Sequence, residues 1–372
     1  MVSSFHRDDL ITLARAHRRR KLLSPVGRDF SSNDYLAFAG SQSLRDAAVE
    51  AIDRGVAVGS GGSRLLRGNT AEHEALEAQA ARFFHSESAL FVGSGFAANS
   101  LIFATLPQPG DLIVYDTLIH ASAHEGMKLS RAPCSSFTHN DVGAAADAID
   151  RWRAAGGKGT PWIAVETLYS MDGDCAPIED FAALADQVDA ILLVDEAHAA
   201  GVYGPGGRGL AADFLGRENV VSMVTCGKAF GCEGALILGP AVFRDFLLNR
   251  GRSFIFSTAP SPLIASVVRA SLGIVARAED RRERLRALVV EAGRAFERFG
   301  FAPSGTQIQP IVIGDEARTM RIAETLQGCG FDVRGIRPPT VPPGTARLRM
   351  SITLNSGESD IREFAAALAR LL

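Results

Sequence analysis

The chain has 372 residues, 47% hydrophobic and 22% charged, with a formal net charge of −3. At roughly 150 residues per domain that leaves room for two or three domains and a large core. The even charge balance argues against a broad nucleic-acid surface, and no apolar run nears the ~18 residues a membrane helix needs. Residues 1–9 contain no apolar h-region, so no secretory signal is expected. Five cysteines (Cys134, Cys175, Cys226, Cys232 and Cys329) form neither a CxxC pair nor a Cys/His cluster. That pattern suits a reducing, cytoplasmic compartment and argues against a metal site. Only four residues are lysine, namely Lys21, Lys128, Lys158 and Lys228, so each one is informative.

Residues 5–21 read as an Arg-rich helix ending in Arg18-Arg19-Arg20-Lys21, where the helix dipole favours cations. A short strand then leads into Ser31-Ser32-Asn33-Asp34-Tyr35-Leu36. From about 40 to 270, helical stretches (43–54, 71–83, 95–105, 120–129, 142–154, 179–187) alternate with short apolar runs at 89–92, 112–115, 162–165, 191–194, 220–224 and 235–238. Strands apolar throughout, alternating with helices, predict an α/β fold with a mostly parallel central sheet covered on both faces. A long helix near 262–299 follows. Strand candidates at 309–313, 331–335 and 346–352 and helices at 317–328 and 358–371 then predict a smaller α+β unit. The expected division is an N-terminal segment over 1–38, a large domain over 39–270 and a small C-terminal domain over 271–372.

Polar residues follow the strand ends, where open α/β sheets bind ligands. Lys228, in Thr225-Cys226-Gly227-Lys228-Ala229-Phe230-Gly231, sits in a Gly-flanked turn between two apolar strands. Burial there would lower its pKa and make it a Schiff-base candidate, against the plain alternative of a surface loop lysine. In Val194-Asp195-Glu196-Ala197-His198 the strand ends on an acid. A carboxylate at that edge can keep a pyridoxal phosphate ring nitrogen protonated, and His198 can reach the phenolic oxygen. Taken alone the pair would be an ordinary strand-end Asp and a loop His; taken with Lys228 it points to that cofactor. Gly93-Ser94-Gly95-Phe96-Ala97-Ala98 turns a strand into a helix and forms an anion site. It also fits a dinucleotide fingerprint with Asp116 as the ribose acid, which keeps a nicotinamide oxidoreductase open as a rival. The Gly-rich 59–70 segment lacks the GK[ST] of a P-loop. His120 could stack on an aromatic ring, Ser170 lies in a polar turn, and Arg349 on an alternating strand could clamp a carboxylate.

Together these segments resemble the α-oxoamine synthases, pyridoxal 5′-phosphate enzymes of the fold type I (aspartate aminotransferase-like) transferases. The carriers are SSNDYL at 31–36, GSGGSRLLRGN at 59–69, SGFAAN at 94–99, HAS at 120–122, YSMDGD at 169–174, DEAH at 195–198, TCGK at 225–228 and IRPPTVPPGTARLR at 336–349. The second and last look like the branch that joins L-alanine to a pimeloyl thioester in biotin synthesis. Glycine-using members of the family are the alternative.

The resemblance implies roles. Lys228 would attach the cofactor and Asp195 would pair with its ring nitrogen. His198 and Ser170 would bond its phenolic oxygen, and His120 would stack on its ring. Gly95, Phe96 and Thr225 would hold its phosphate. Ser257 and Thr258 would reach the phosphate of a neighbouring subunit, which implies a homodimer with active sites at the subunit interface. Arg349 would bind the amino-acid carboxylate, Asn33 would line its pocket, and Arg18 and Thr340 would contact the acyl substrate. The thioester carrier, coenzyme A or acyl carrier protein, stays open.

Overall fold

The computed structural model describes residues 3–372; Met1 and Val2, part of the segment read for a secretory signal, lie outside the described residues. The chain divides into two compact units. The first comprises the chain up to Tyr35, Ser170–Asp174 and Glu283–Leu372, and the second comprises Leu36–Tyr169 and Cys175–Arg282.

The second unit is built on a seven-stranded sheet. Its order is Ser88–Val92, Ala235–Gly239, Val220–Thr225, Ile191–Asp195, Pro161–Glu166, Leu112–Asp116, Cys134–Phe137. Ala235–Gly239 pairs antiparallel with both its neighbours, and the other pairings are parallel. Every residue of Pro161–Glu166 is buried, as expected for a strand covered on both sides. One face packs Leu101, Ile102, Phe103 and Met127 against it, and the other packs Ile149, Phe181 and Leu184. Helix starts are set by side-chain caps: Ser94 accepts from the Ala97 N–H, His120 from Ser122 and Asp141 from Ala144.

The first unit carries a three-stranded antiparallel sheet in the order Arg334–Ile336, Ala346–Ser351, Ile308–Gly314. Arg28–Asp29 pairs parallel with Phe331–Asp332. Helices Glu316–Gly328 and Glu358–Ala369 belong to this unit, and Phe364 packs on Phe30, Phe296 and Phe331.

Several elements differ from expectation. The N-terminal helix is Ser4–Arg15, not 5–21, and none of its residues is buried. It stops because His17 turns left-handed (φ 54°) and the Arg18 N–H folds back to the Leu13 carbonyl at 2.7 Å. Four adjacent cations would also repel one another in a further helical turn. The helix expected over 262–299 is two, Pro262–Ala276 and Glu279–Glu297. Arg282, 2% exposed, fixes the break by donating to the Val275 carbonyl at 2.7 Å and to Glu279 at 2.8 Å. The boundary read near 270 falls inside Pro262–Ala276; that whole helix stays in the second unit because its apolar face lies on Gln42–Asp53 and Ala71–Phe83. The edge strand Cys134–Phe137 and the helices Ala241–Arg250 and Arg252–Ile255 were not expected.

Candidate active site

In the second unit the sheet's carboxyl edge opens into a cavity of about 170 Å³ lined by Gly95, Phe96, His120, Asp195, His198, Thr225 and Lys228, with Glu166, Ser122, Ala197 and Met223. Seven residues singled out from the sequence therefore converge on one space. Lys228 is carried on a tight turn closed by Cys226 N–H to the Gly234 carbonyl (2.8 Å) and Gly231 N–H to the Lys228 carbonyl (2.8 Å). Gly231 cannot be replaced there. Its φ is +65°, and a Cβ would lie 2.6 Å from the Ala39 nitrogen. Lys228 Nζ lies 2.7 Å from His198 Nε2, so the amine donates to the imidazole.

Asp195 is 4% exposed. Its Oδ1 accepts the Ala197 N–H at 2.9 Å, and its Oδ2 accepts Asn99 Nδ2 at 2.8 Å. The same Asn99 amide donates to Ser122 Oγ at 2.9 Å. Ser122 Oγ lies 2.8 Å from His120 Nδ1, which also accepts the Ser122 N–H at 3.2 Å. A buried chain thus runs from the acid to the ring His120, and it puts the proton of a neutral His120 on Nε2. Burial lowers the His120 pKa; Lys228 adds to this while Asp195 opposes it. An uncharged imidazole suits stacking on an aromatic ring. The neighbouring Glu196 is fully buried, and burial pushes its carboxyl up to about 7. Glu196 accepts the Ala211 N–H at 2.5 Å, the Leu210 N–H at 3.2 Å and the Thr167 hydroxyl at 3.0 Å.

These residues fit pyridoxal 5′-phosphate. The volume is of the order that takes up one aromatic ring, ~150 Å³. One wall has the amine and another the carboxylate. The N-terminus of helix Gly95–Thr105, beside Thr225, supplies the anion end. The rival dinucleotide reading loses its acid. Asp116 is 0% exposed, and its carboxylate is taken by the Leu118 N–H (2.8 Å), the Asn140 N–H (2.8 Å) and His139 Nδ1 (2.9 Å).

Comparison with known proteins agrees. The aminotransferase class I and II profile matches residues 27–368. An 8-amino-7-oxononanoate synthase of Chromobacterium violaceum is 41% identical over 91% of this chain and 90% of its own length. The structure of an 8-amino-7-oxononanoate synthase from Francisella tularensis superposes with a TM-score of 0.79 at 27% identity, covering 92% of this chain and 97% of that one. A serine palmitoyltransferase from S. paucimobilis superposes with a TM-score of 0.89 at 24% identity, over 99% and 96% of the two chains, and shows the fold alone. The chain belongs to the aminotransferase class I and II family. Within it, the chain is an α-oxoamine synthase of fold type I.

The remaining residues singled out from the sequence are not among those that line this cavity. Ser257 and Thr258 line a second cavity of about 160 Å³ in the second unit, with Arg64, Phe91 and Phe254. Asn33, Ser170, Thr340, Arg349 and Arg18 fall in the first unit. Arg349, 7% exposed, donates through Nε to the Ser170 carbonyl (2.6 Å) and through Nη1 to Ser351 Oγ (2.8 Å). Tyr35 donates to Asn33 Oδ1 at 3.0 Å. Burial raises the Tyr35 pKa, while Arg349 and Gln307 oppose the rise. Arg18 is held in a bidentate pair with Glu316 (2.6 and 2.8 Å), and it is Arg20 that reaches Thr340 Oγ1, at 3.3 Å. The sequence reading missed Asn99, Ser122, Glu166 and Met223. Asn99 and Ser122 stand inside the quoted SGFAAN and HAS segments. Glu166, a lone carboxylate ending an apolar strand and paired in register with Asp195, was the available signal for that wall.

Proposed function

We propose that this α-oxoamine synthase condenses L-alanine with a pimeloyl thioester, giving 8-amino-7-oxononanoate, carbon dioxide and the free thiol carrier in biotin synthesis. Its cofactor is pyridoxal 5′-phosphate. The carrying observation is the Lys228 amine beside His198 in a cavity shared with Asp195 and a helix N-terminus, in a chain about 40% identical to 8-amino-7-oxononanoate synthases.

Bound there, the cofactor supplies an aldehyde that joins amines covalently and a pyridine ring that takes up electron density from the bond being broken. In this reading the protein's own residues do the rest. Gly95 and Phe96 N–H groups and the Thr225 hydroxyl hold the phosphate, and His120 covers one ring face. Asp195, oriented by Ala197 and Asn99, keeps a proton on the ring nitrogen. His198 and Ser170 bond the phenolic oxygen. Lys228 would hold the cofactor covalently and would supply the amine that removes the alanine Cα proton and later returns one. A positioned base contributes ~10²–10⁴-fold. Arg349 holds the alanine carboxylate with Asn33 beside it, and Arg18 and Thr340 contact the acyl chain. In this reading the residues that attach the cofactor and hold its phosphate and ring nitrogen belong to the second unit, Leu36–Tyr169 with Cys175–Arg282.

The reading includes a cytoplasmic homodimer whose Ser257 and Thr258 reach the partner's phosphate. Exposed Phe256 (73%) and Leu66 (81%) support an interface on that unit. No helix among the described residues is long and apolar enough to cross a membrane. The test is product formation by mass spectrometry with L-alanine or glycine against pimeloyl, succinyl and acetyl thioesters. Preference for glycine, or product only from short acyl donors, would sink the assignment of substrates.

A further inference from the structure

Strand Ala346–Ser351 of the first unit carries two buried arginines, Arg347 (4% exposed) and Arg349 (7%). Two residues apart on one strand, they share a face. Their charges are settled differently. Arg347 Nη1 lies 2.5 Å from Asp172 Oδ1 and donates to the Met171 carbonyl at 3.2 Å, while its Nε donates to the Thr345 carbonyl at 3.0 Å. Arg349 has no carboxylate partner among the described residues; its Nε bond to the Ser170 carbonyl ties it to the same turn. A buried cation without an anion is unfavourable. Arg349 is therefore left open to a carboxylate that arrives, whereas Arg347 is already answered.

One strand thus grips consecutive residues of the turn, Ser170 through Arg349 and Met171 with Asp172 through Arg347. Gly173 is held next. Its carbonyl accepts the Thr306 hydroxyl at 2.7 Å, and at its φ of +72° a Cβ would lie 2.2 Å from the Ile308 carbonyl oxygen. Ser170–Asp174 lies outside every strand and helix, so side chains set its course.

We propose that Arg347 is a positioning residue for amino-acid binding. It fixes Met171 and Asp172, these fix the Ser170 carbonyl, and that carbonyl aims the Arg349 guanidinium at the substrate carboxylate. The inference rests on the reading of Arg349 above and adds a residue that touches no substrate. A guanidinium anchored through Nε keeps its outer edge in one plane, as a bidentate carboxylate pair requires. Loosened, the same charge still attracts a carboxylate but meets it in poorer geometry. The effect falls on the amino acid and spares the acyl donor.

The test titrates the visible band of the holoenzyme with L-alanine and with ethylamine, which is alanine without its carboxylate. Arg347→Gln should weaken L-alanine binding about tenfold or more and leave ethylamine binding unchanged. Arg347→Lys, which keeps a cation opposite Asp172 without the fork, should fall between. KM for L-alanine should rise by the same factor, with KM for the pimeloyl thioester unmoved. Arg349→Lys is the reference: it should weaken L-alanine at least as much, and adding Arg347→Gln to it should change little more, because the two act as one unit. Should Arg347→Gln fail to fold, Asp172→Asn, on a side chain 37% exposed, carries the same expectation. Unchanged L-alanine affinity overturns the proposal. Equal weakening of both amines also overturns it, by making Arg347 merely structural, and so does full additivity with Arg349→Lys. If Arg349→Lys itself leaves L-alanine affinity unchanged, the carboxylate reading of Arg349 fails and takes this inference with it.

Discussion

Two cavities of the second unit have nearly equal volumes, about 170 and 160 Å³, and differ in how their charges are settled. In the one lined by Arg64 and Phe254, the only buried cation is already answered. Arg64 Nη1 lies 2.8 Å from Glu77 Oε1, both side chains being 6% exposed, and Arg64 Nε donates to Asn69 Oδ1 at 2.7 Å. Glu77 also accepts the Phe91 N–H at 2.9 Å, so the pair fastens the helix Ala71–Phe83 to the strand Ser88–Val92. At Lys228 the amine, the acid and two imidazoles face a common hollow. Volume alone does not separate structure from chemistry; what separates them is whether the polar groups point at each other or at a shared space.

The contrast can be broken by mutation. Lys228→Ala should lower kcat by ~10⁴-fold and remove the visible band of covalently attached cofactor with little change in melting temperature. Retention of that band would move the chemistry elsewhere. Glu77→Gln should do the opposite. It leaves the Arg64 charge buried and unpaired, costs ~3–5 kcal/mol of stability in denaturant unfolding, and touches no reacting group. If folded Glu77→Gln enzyme lost activity with its stability intact, the Arg64–Glu77 pair would belong to the chemistry and not only to the framework.

Glu196 sharpens the comparison through pH. Its carboxyl is raised from 4.5 to about 7 in the folded protein, so the native state holds the proton more tightly than the unfolded chain. The associated stability is full below pH 4.5 and declines as pH rises toward 7, by ~3 kcal/mol. Melting temperature should fall across that window, and Glu196→Gln should flatten the slope; a flat profile in the unmodified protein would contradict the burial argument. The smallest effect belongs to Asn99→Leu. It removes one donor from Asp195 and one from Ser122, a loss of ~1–2 kcal/mol, read as roughly tenfold weaker cofactor binding and a shifted pH titration of its visible band. Unchanged affinity and titration would reduce the Asn99 chain to packing.

The sequence carried much of this. Continuous apolar strands alternating with helices predicted the parallel sheet, and the strand-end positions of Asp195, His120 and Lys228 predicted their meeting. What escaped was set by registry rather than composition. Glu166 becomes a cavity wall only because it stands opposite Asp195 across two strands. Asn99 looks like any polar residue in a helix until Asp195 and Ser122 are seen at its amide. Cys134–Phe137 is a polar edge strand without the apolar signature of its neighbours. The run Arg18–Lys21 reads as a helix end, and only the fold sends Arg18 to Glu316 and Arg20 to Thr340.

The Arg18–Glu316 pair has a mechanical side. The helix Ser4–Arg15 buries none of its residues, and the pair that follows it is itself partly exposed, at 36% and 22%. The basic stretch beside it is therefore moored by a clasp that dissolved ions loosen. Salt would therefore slacken the segment that carries Arg19, Arg20 and Lys21.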